Sequence, residues 1–539
     1  MRAPLFLASL ASCLFMCAGC GGPADLGGSC DPANEGSCAE GLVCAPDESD
    51  ANVCQIPIGA ECDAAREPTG CVYGSECIEV TEVVGGEETM VDRCYVTEGG
   101  ACDPTMDQCA PSLTCAELTD GTYACHRPLL FRGRVLDSTD SSPIEGAHVL
   151  GLDAQPVAVT DIAVSEADGS YELEVPVVRN EDGSPVAASY TLRGGADGYQ
   201  TFPSGIRTAI PINTTLATEL EEGWVVMGTL TDVALIPVED PSAPRASITG
   251  TVRAQADSGG VLVVAATTGG PGYTAISGRG GDYTIFNVPP GEYEVRGYAQ
   301  GLSLAPEAVT VADADLAGVD LGLSEAALSQ VTGTTQIVNG GDCEATSFIL
   351  VVESTFVEAI GRGEVPRGLR APEPGAPPSI RNSQTWTIPD VPEGRYVVLA
   401  AFENDFCVRD PDTSIAGTLP VHLALPADAG TIGESFKITG ALAVMSPGVD
   451  EPEAVTEPPT LTWEDDSGEQ DYLVEVFDAY GDLVWMEVVP GVSGSATASV
   501  EYGGPFEAGM YYQFRATSRS GSMVPLSRTE DLRGVFYRP

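Results

Sequence analysis

Basic charge is what this 539-residue chain has least of: 25 Lys and Arg stand against 79 Asp and Glu, a net charge of −54. One of the 25 is a lysine, Lys437, and the rest are arginines. Such a polyanion repels other polyanions, so neither nucleic acid nor anionic lipid headgroups are expected as partners. A single lysine preceded by Phe436 also excludes a Walker-type phosphate loop. There are three histidines, His126, His148 and His422, and none opens an H-x-x-E or H-E-x-x-H zinc set. No G-x-S-x-G nucleophile elbow occurs. Carboxylates are too plentiful for any pair to be singled out as a glycosidase dyad. The chain is therefore read as a non-enzyme with no catalytic residue, no cofactor and no resident metal. Beyond Cys20 no apolar run approaches 18 residues, so no later segment is expected to span a membrane as a helix.

The first twenty residues are of another kind. Met1-Arg2 supplies one positive charge, Ala3 to Met16 is apolar apart from Pro4, Ser9 and Ser12, and Cys17-Ala18-Gly19-Cys20 follows. This stretch is too short for a membrane span and fits a cleaved export signal, residues 1–20. Ala18-Gly19-Cys20 resembles the lipobox of bacterial lipoproteins, although position 17 is Cys where Leu is usual. The resemblance implies an acylated Cys20, a lipid anchor as the contact with the membrane, and a place at the outer membrane, either periplasmic or surface-exposed. Ordinary signal cleavage without a lipid is the alternative.

Of the 17 cysteines, twelve lie between Cys30 and Cys125. They fall into three sets: Cys30, Cys38, Cys44, Cys54; Cys62, Cys71, Cys77, Cys94; and Cys102, Cys109, Cys115, Cys125. The middle pair is always C-x5-C. Gly27, Gly59 and Gly99 stand three residues before each first cysteine, and Asp31, Asp63 and Asp103 follow it. Residues 21–128 thus read as three repeated modules with too few large apolar side chains to bury a core. An even count after an export signal points to disulfides, whose connectivity the spacing leaves open. Zinc is the competing reading, but the five-residue spacing and the single nearby histidine, His126, disfavour it. The G-x-x-C-D…C-x-x-G-L-x-C pattern, with Gly41 and Leu42, resembles short cysteine-rich repeats of Dickkopf type.

From Phe131 period-2 apolar patterns take over. Tyr283-Thr284-Ile285-Phe286-Asn287-Val288-Pro289-Pro290-Gly291-Glu292-Tyr293-Glu294-Val295 recurs 103 residues later as Trp386 to Val398. Both read as strand, tight turn, strand, with Pro fixing φ and Gly permitting a positive φ. An h-x-G-x-V strand precedes each, Ile248-Thr249-Gly250-Thr251-Val252 and Val331-Thr332-Gly333-Thr334. A longer copy opens with Phe131-Arg132-Gly133-Arg134-Val135, reaches Asp168-Gly169-Ser170-Tyr171 and Ala196-Asp197-Gly198-Tyr199, and carries an insertion at 180–185. These segments resemble the carboxypeptidase regulatory-like family. The resemblance implies three transthyretin-like antiparallel β-sandwiches, at 129–245, 246–325 and 326–439, used as accessory modules. Residues 371–378 read as an extended exposed loop. Cys343 and Cys407 are expected to pair within the third sandwich.

Pro447 to Pro459 is acidic and proline-rich and reads as a linker. In the last segment, 440–539, Trp463 on an early strand and Tyr512-Gln513-Phe514 on a late one resemble a fibronectin type III domain, with Trp463, Tyr512 and Phe514 as core. The acidic turn Glu464 to Glu469 lacks calcium-loop spacing and reads as solvated.

The expected fold is all-β: tandem antiparallel β-sandwiches after a disulfide-rich N-terminal region. The expected role is that of a non-catalytic envelope lipoprotein in adhesion, spacing or protein–protein contact. Carbohydrate binding through a sandwich face is the alternative, and exposed aromatics on one face would mark it. The ligand, protein or glycan, is unknown, as are its binding residues.

Overall fold

The computed structural model describes residues 23–539 apart from 35, 67–69, 85–86, 107, 155, 205–206, 255–257, 359, 374–375 and 401–404. Strands dominate, and two single-turn 3-10 helices, Thr214–Leu216 and Glu353–Thr355, are the only helical elements among the described residues. The chain divides into two compact units. One runs to Arg127 and includes Val178–Gly183; the other holds Pro128–Val177 and Ser184–Pro539.

In the first unit each module is a β-hairpin with a loop folded onto it. The hairpins pair Val43–Pro46 with Asn52–Gln55, Ser75–Val84 with Glu87–Val96, and Thr114–Glu117 with Tyr123–His126. The glycine ahead of each module has a structural reason. Gly27, Gly59 and Gly99 have φ near +80°, a region that side chains rarely enter. Their N–H groups donate to the carbonyls of Cys54, Cys94 and Cys125, each at 2.8 Å. The aspartate after each first cysteine accepts from the backbone two residues on: Ala33, Ala65 and Thr105. That local bond closes an Asx turn and starts the loop. Modules connect in series by isolated bridges, since Ile56 pairs with Cys71 and Val96 with Cys109.

The second unit holds four two-sheet sandwiches, and the first three share one wiring. An opening strand pairs antiparallel with the strand that carries the repeat's aromatic, and parallel with a closing strand. In the first sandwich Leu129–Asp137 lies between Ser170–Val175 and the parallel strands Gly223–Met227 and Val233–Leu235. In the second, Ala246–Arg253 pairs with Asp282–Val288 and in parallel with Leu321–Gly322. In the third, Ser329–Ile337 pairs with Thr385–Val391 and in parallel with Gly430–Gly440. All other strand pairings in these three sandwiches are antiparallel.

One contact repeats at the centre of this wiring. Gly133 lies opposite Tyr171, Gly250 opposite Tyr283, and Gly333 opposite Trp386. The Tyr171 hydroxyl crosses its glycine and donates to the Thr231 carbonyl at 2.5 Å; that of Tyr283 donates to the Val319 carbonyl at 2.5 Å. A Cβ at Gly133 or Gly250 would lie 2.0 or 1.8 Å from those carbonyl oxygens. The glycine is therefore required by the close passage of the closing segment. In the third sandwich the Trp386 ring takes this space, stacked on Phe348 at 4.4 Å. The second tyrosine of the motif has its own fixed bond: Tyr293 donates to the Pro289 carbonyl at 3.0 Å and Tyr396 to that of Pro392 at 2.9 Å. Tyr190 does the same to the Pro176 carbonyl, so the long insertion in the first sandwich leaves this bond in place.

The sandwiches are not separate beads. Leu150 and Leu152 of the first, and Leu262, Val264, Ile276 and Tyr298 of the second, join the apolar core of the third. Strand Phe348–Val352 is buried along its whole length, with Ile349 and Val351 packed near Val157 of the first sandwich. A joint also recurs. The turn Ala196–Tyr199 of the first sandwich bonds Asn287 of the second, with Gly198 N–H to Oδ1 at 2.7 Å and Nδ2 to the carbonyls of Ala196 and Tyr199. The turn Ala299–Gly301 of the second meets the third at the corresponding place, Gly301 N–H to the Asp390 carbonyl at 2.9 Å.

In the last sandwich, Val444–Ser446, Thr460–Glu464 and Thr497–Glu501 face a sheet that includes Val535–Tyr537, Tyr511–Arg519, Asp471–Asp478 and Leu483–Pro490. Trp463, Tyr512 and Phe514 are buried, as their sequence positions suggested. The linker reading of 447–459 does not hold. Glu453–Ala454 is a strand parallel to Val535–Tyr537, and Gly448 accepts from Gly534 N–H. The prolines there bound a sheet edge, where a missing N–H costs little. The exposed-loop reading of 371–378 also needs correction. Ala371 is buried in a strand, and the carbonyls of Pro372 and Ala376 accept from the Arg370 guanidinium, wrapping the start of the loop around it.

Two outcomes follow from this fold. Gly250→Ala should destabilise the second unit by about 3 kcal/mol, because backbone blocks the added methyl. Gly333→Ala should cost less, because it meets a ring and not a carbonyl; denaturant midpoints of the two variants would check the order. Reductant should expose residues 30–125 to protease and leave the sandwiches protected, since each lost disulfide removes about 2–5 kcal/mol from modules with little core. Mass spectrometry of the limited digest reads this division, and protection lost on adding a chelator instead would revive the zinc reading.

Candidate functional site

Cys20, the expected anchor, lies outside the described residues. The fourteen cysteines from Cys30 onward are all placed. Each module joins its first cysteine to its third and its second to its fourth: Cys30–Cys44 and Cys38–Cys54, Cys62–Cys77 and Cys71–Cys94, Cys102–Cys115 and Cys109–Cys125. The hairpin sets the pairing. Cys44 and Cys54, Cys77 and Cys94, and Cys115 and Cys125 are direct cross-strand neighbours, so each receives its own partner from the folded loop. The two bridges of a module lie so close that three of its sulfur atoms fall within 4.8 Å of one another. Cys343 is bonded to Cys407, across 64 residues. Cys407 opens the edge strand Cys407–Arg409, so this bond fixes a sheet edge in the third sandwich.

The sequence motifs gave no hint of the arginine cluster in the second unit. A cleft of about 200 Å³ is lined by Arg193, Arg207, Arg362 and Arg515 over an apolar floor that includes Leu152, Phe202 and Ile360. Each arginine has a carboxylate. Arg193 meets Glu364 at 3.1 Å and Arg207 meets Asp482 at 3.0 Å; Arg515 meets Asp531 at 2.7 Å, and Arg362 shares that Asp531. The Thr208 hydroxyl accepts from both Arg362, at 3.0 Å, and Arg515, at 3.1 Å. Arg207 also donates to the carbonyls of Ala234 and Tyr480, and its ring partner Phe202 lies 4.9 Å away. Burial pulls Arg207 below its ordinary value, and Asp482 opposes this. These bonds link the first sandwich to the third and last, across as many as 307 residues. Four guanidinium groups against Glu364, Asp482 and Asp531, with Asp153 beside them, leave little surplus charge for an anion. The cluster is a latch, and removing one partner of its well-buried pair, Arg515 and Asp531, costs about 3–5 kcal/mol.

A second charged pair sits where the third and last sandwiches meet. Asp405 is buried and accepts from Cys407 N–H at 3.0 Å. Glu530, also buried, accepts from Phe406 N–H at 2.8 Å and from Arg533 Nε at 3.0 Å. Burial first, with the nearby Glu530 carboxylate adding to it, pushes Asp405 up to about 8; burial also raises Glu530.

Aromatic platforms for sugars are scarce. Among the described residues the well-exposed aromatics are Tyr73 and Phe406, and Phe406 lies under the Arg533 guanidinium at 5.1 Å. The broad cleft between the second and third sandwiches is lined by Glu292, Glu294, Glu353 and Glu393 with Arg296 and Arg395, but its tyrosines, Tyr293 and Tyr298, are buried. The acidic turn at 464–469 is bonded to protein: Asp465 accepts from the Tyr472 hydroxyl and Asp466 from that of Ser518.

No family model matches the chain, and no curated protein matches it. Some solved structures are partly similar to the chain. The Bacillus anthracis TIE protein is 10% identical, over 75% of this chain and 72% of that one, with a TM-score of 0.14. The minor pilin GBS52 of Streptococcus agalactiae is 13% identical, over 38% and 99%, with a TM-score of 0.18. Two B repeat units of the Staphylococcus aureus collagen-binding protein are 12% identical, over 74% and 98%, with a TM-score of 0.15. These superpositions are too partial to carry a function across.

The Asp405 position gives a pH test. A carboxyl whose folded pKa is raised above its unfolded value contributes fully at low pH and loses that contribution as pH rises through the folded value. Between pH 5 and 7 the wild-type Tm should therefore fall steadily relative to that of Asp405→Asn, and the difference should level off above about pH 8. Parallel curves for the two proteins would contradict this.

Proposed function

We propose that the chain is a non-catalytic lipoprotein of the cell envelope, anchored at the outer membrane through Cys20, and that its sandwiches act in adhesion or protein–protein contact. The observation that supports this most is the closed sandwich cluster: four sandwiches joined by a shared apolar core and an arginine latch. Such a body presents fixed surfaces. It suits contact better than spacing, because sandwiches used as spacers would touch only their neighbours in sequence. The disulfide modules, which lie between Cys20 and the sandwiches in the sequence, need no large core of their own. Sugar binding is the weaker reading, since the exposed aromatics it requires are nearly absent.

Two measurements test this. Cys20→Ser should release the chain from membranes and abolish labelling by a fatty-acid analogue; an unlabelled wild type and a membrane-bound variant would defeat the anchor. The released full chain should show no saturable binding on a glycan array, and binding to one sugar class would put the alternative first.

A further inference from the structure

The last sandwich ends one of its sheets on an unusual strand. Leu483–Pro490, Leu-Val-Trp-Met-Glu-Val-Val-Pro, pairs on one side with Asp471–Asp478 and stands at the end of the sheet order. At eight residues it is the longest edge strand of the second unit; the other sheet ends run from two to seven. Met486, Glu487 and Val488 are consecutive and exposed, and Met486 and Val488 are 56% and 49% open. Their register places Val488 beside Leu473 and Met486 beside Glu475, on the outer face of the sheet. Trp485 and Val489 pack on the inner side against the core. Natural edges are usually short, charged, covered or interrupted. This one has a register shift at its Val484 end and Pro490 at the other, and among the described residues it pairs with no second strand.

We propose that this edge receives an extended segment of a partner protein as an added strand, and that the segment alternates apolar with basic residues. The inference rests on the protein-contact reading above. Three observations select the occupant. An open ladder pairs with extended backbone, and alternate side chains of the added strand then meet Met486 and Val488. The chain's charge of −54 draws a basic segment, and Glu487, on the edge strand and on the face opposite Met486 and Val488, lies beside the ladder to meet its basic row. The same charge opposes a second copy: antiparallel self-pairing would set two acidic bodies edge to edge, with Glu487 near its own counterpart.

The test uses the full chain carrying Cys20→Ser and the peptide acetyl-Arg-Val-Arg-Val-Thr-Val-Arg-amide, read by calorimetry. Saturable binding is expected, weakening at least tenfold when the three arginines become glutamates. Glu487→Arg should weaken binding about tenfold while leaving the fold, read by circular dichroism, unchanged. N-methylation of alternate peptide residues should abolish binding in one register and spare it in the other, since only one row of N–H groups faces the edge. No binding of the basic peptide, or binding indifferent to both changes, overturns the proposal. A dimer in sedimentation that Val488→Lys dissolves would also overturn it and give the edge to a second copy. If an envelope partner is captured equally by wild type and Glu487→Arg, the contact reading stands and this edge is not its site.

Discussion

Three sandwiches of this chain are organised around one close passage: an aromatic ring laid over a glycine, with the closing segment's backbone just beyond. The opening strand has no Cβ at Gly133 or Gly250, so the closing segment can pass within reach of the tyrosine hydroxyl. That hydroxyl is buried and needs an acceptor, and the carbonyl it finds belongs to the segment that must come next. The bond ties the opening strand's antiparallel neighbour to the closing segment, 60 residues later in the first case and 36 in the second, and Thr231 Oγ1 to the Arg132 carbonyl and Thr251 N–H to Asp320 tie the opening strand itself to that segment. The third sandwich keeps the glycine and replaces the hydroxyl with volume: Trp386 fills the space, stacked on Phe348 and edge-on to Phe436. A hydrogen bond and a packed ring serve the same end there, which is why the motif tolerates the change.

From that frame comes a strand with a second face to bury. Strands such as Phe348–Val352 and Leu262–Ala266 read as unbroken apolar runs and not as alternating ones. Inside one isolated sandwich such a run would leave every second side chain in water. Here the outward residues are covered by neighbouring sandwiches, and burial of this kind is worth roughly 25 cal/mol per Å² of apolar surface. The Ala-x-Gly turns give those contacts a direction. In both joints the turn glycine's N–H donates to the residue at the bulge of the next sandwich, Asn287 or Asp390, which has a positive φ in each case. A local irregularity of one module is the docking point of the one before it.

Much of this was open to the sequence, and the boundary is physical. Period-2 strands, Pro-x-Gly turns and the recurrent h-x-G-x-V opening are short-range features, and each has a local steric cause. Cysteine spacing likewise marked three modules, while the pairing of first with third and second with fourth depended on which cysteines sit opposite in a hairpin. The proline-rich stretch at 447–459 was misread because composition reports what a segment lacks, here backbone donors, and not what lies beside it. Its strand partner is Val535–Tyr537, some eighty residues away. The arginine latch was illegible for the same reason. Nothing local distinguishes Arg207 from other arginines; its meaning comes from Asp482 and Tyr480 in another sandwich.

The scarcity of basic residues then acquires a structural sense. In the second unit many of the few arginines are held in ion pairs with the arginine side chain largely buried, Arg193, Arg207, Arg515, Arg519 and Arg533 among them. There positive charge is used inward, within the last sandwich and at its joints, where it offsets carboxylates that would otherwise be buried alone. What remains outward is predominantly acidic, and its self-repulsion works against closure of the sandwich cluster. Closure therefore depends on short-range terms, the shared apolar core and the latch, which salt screens less than it screens the surface. Added salt should consequently tighten this body and not loosen it, the opposite of what a protein held together by exposed salt bridges would do.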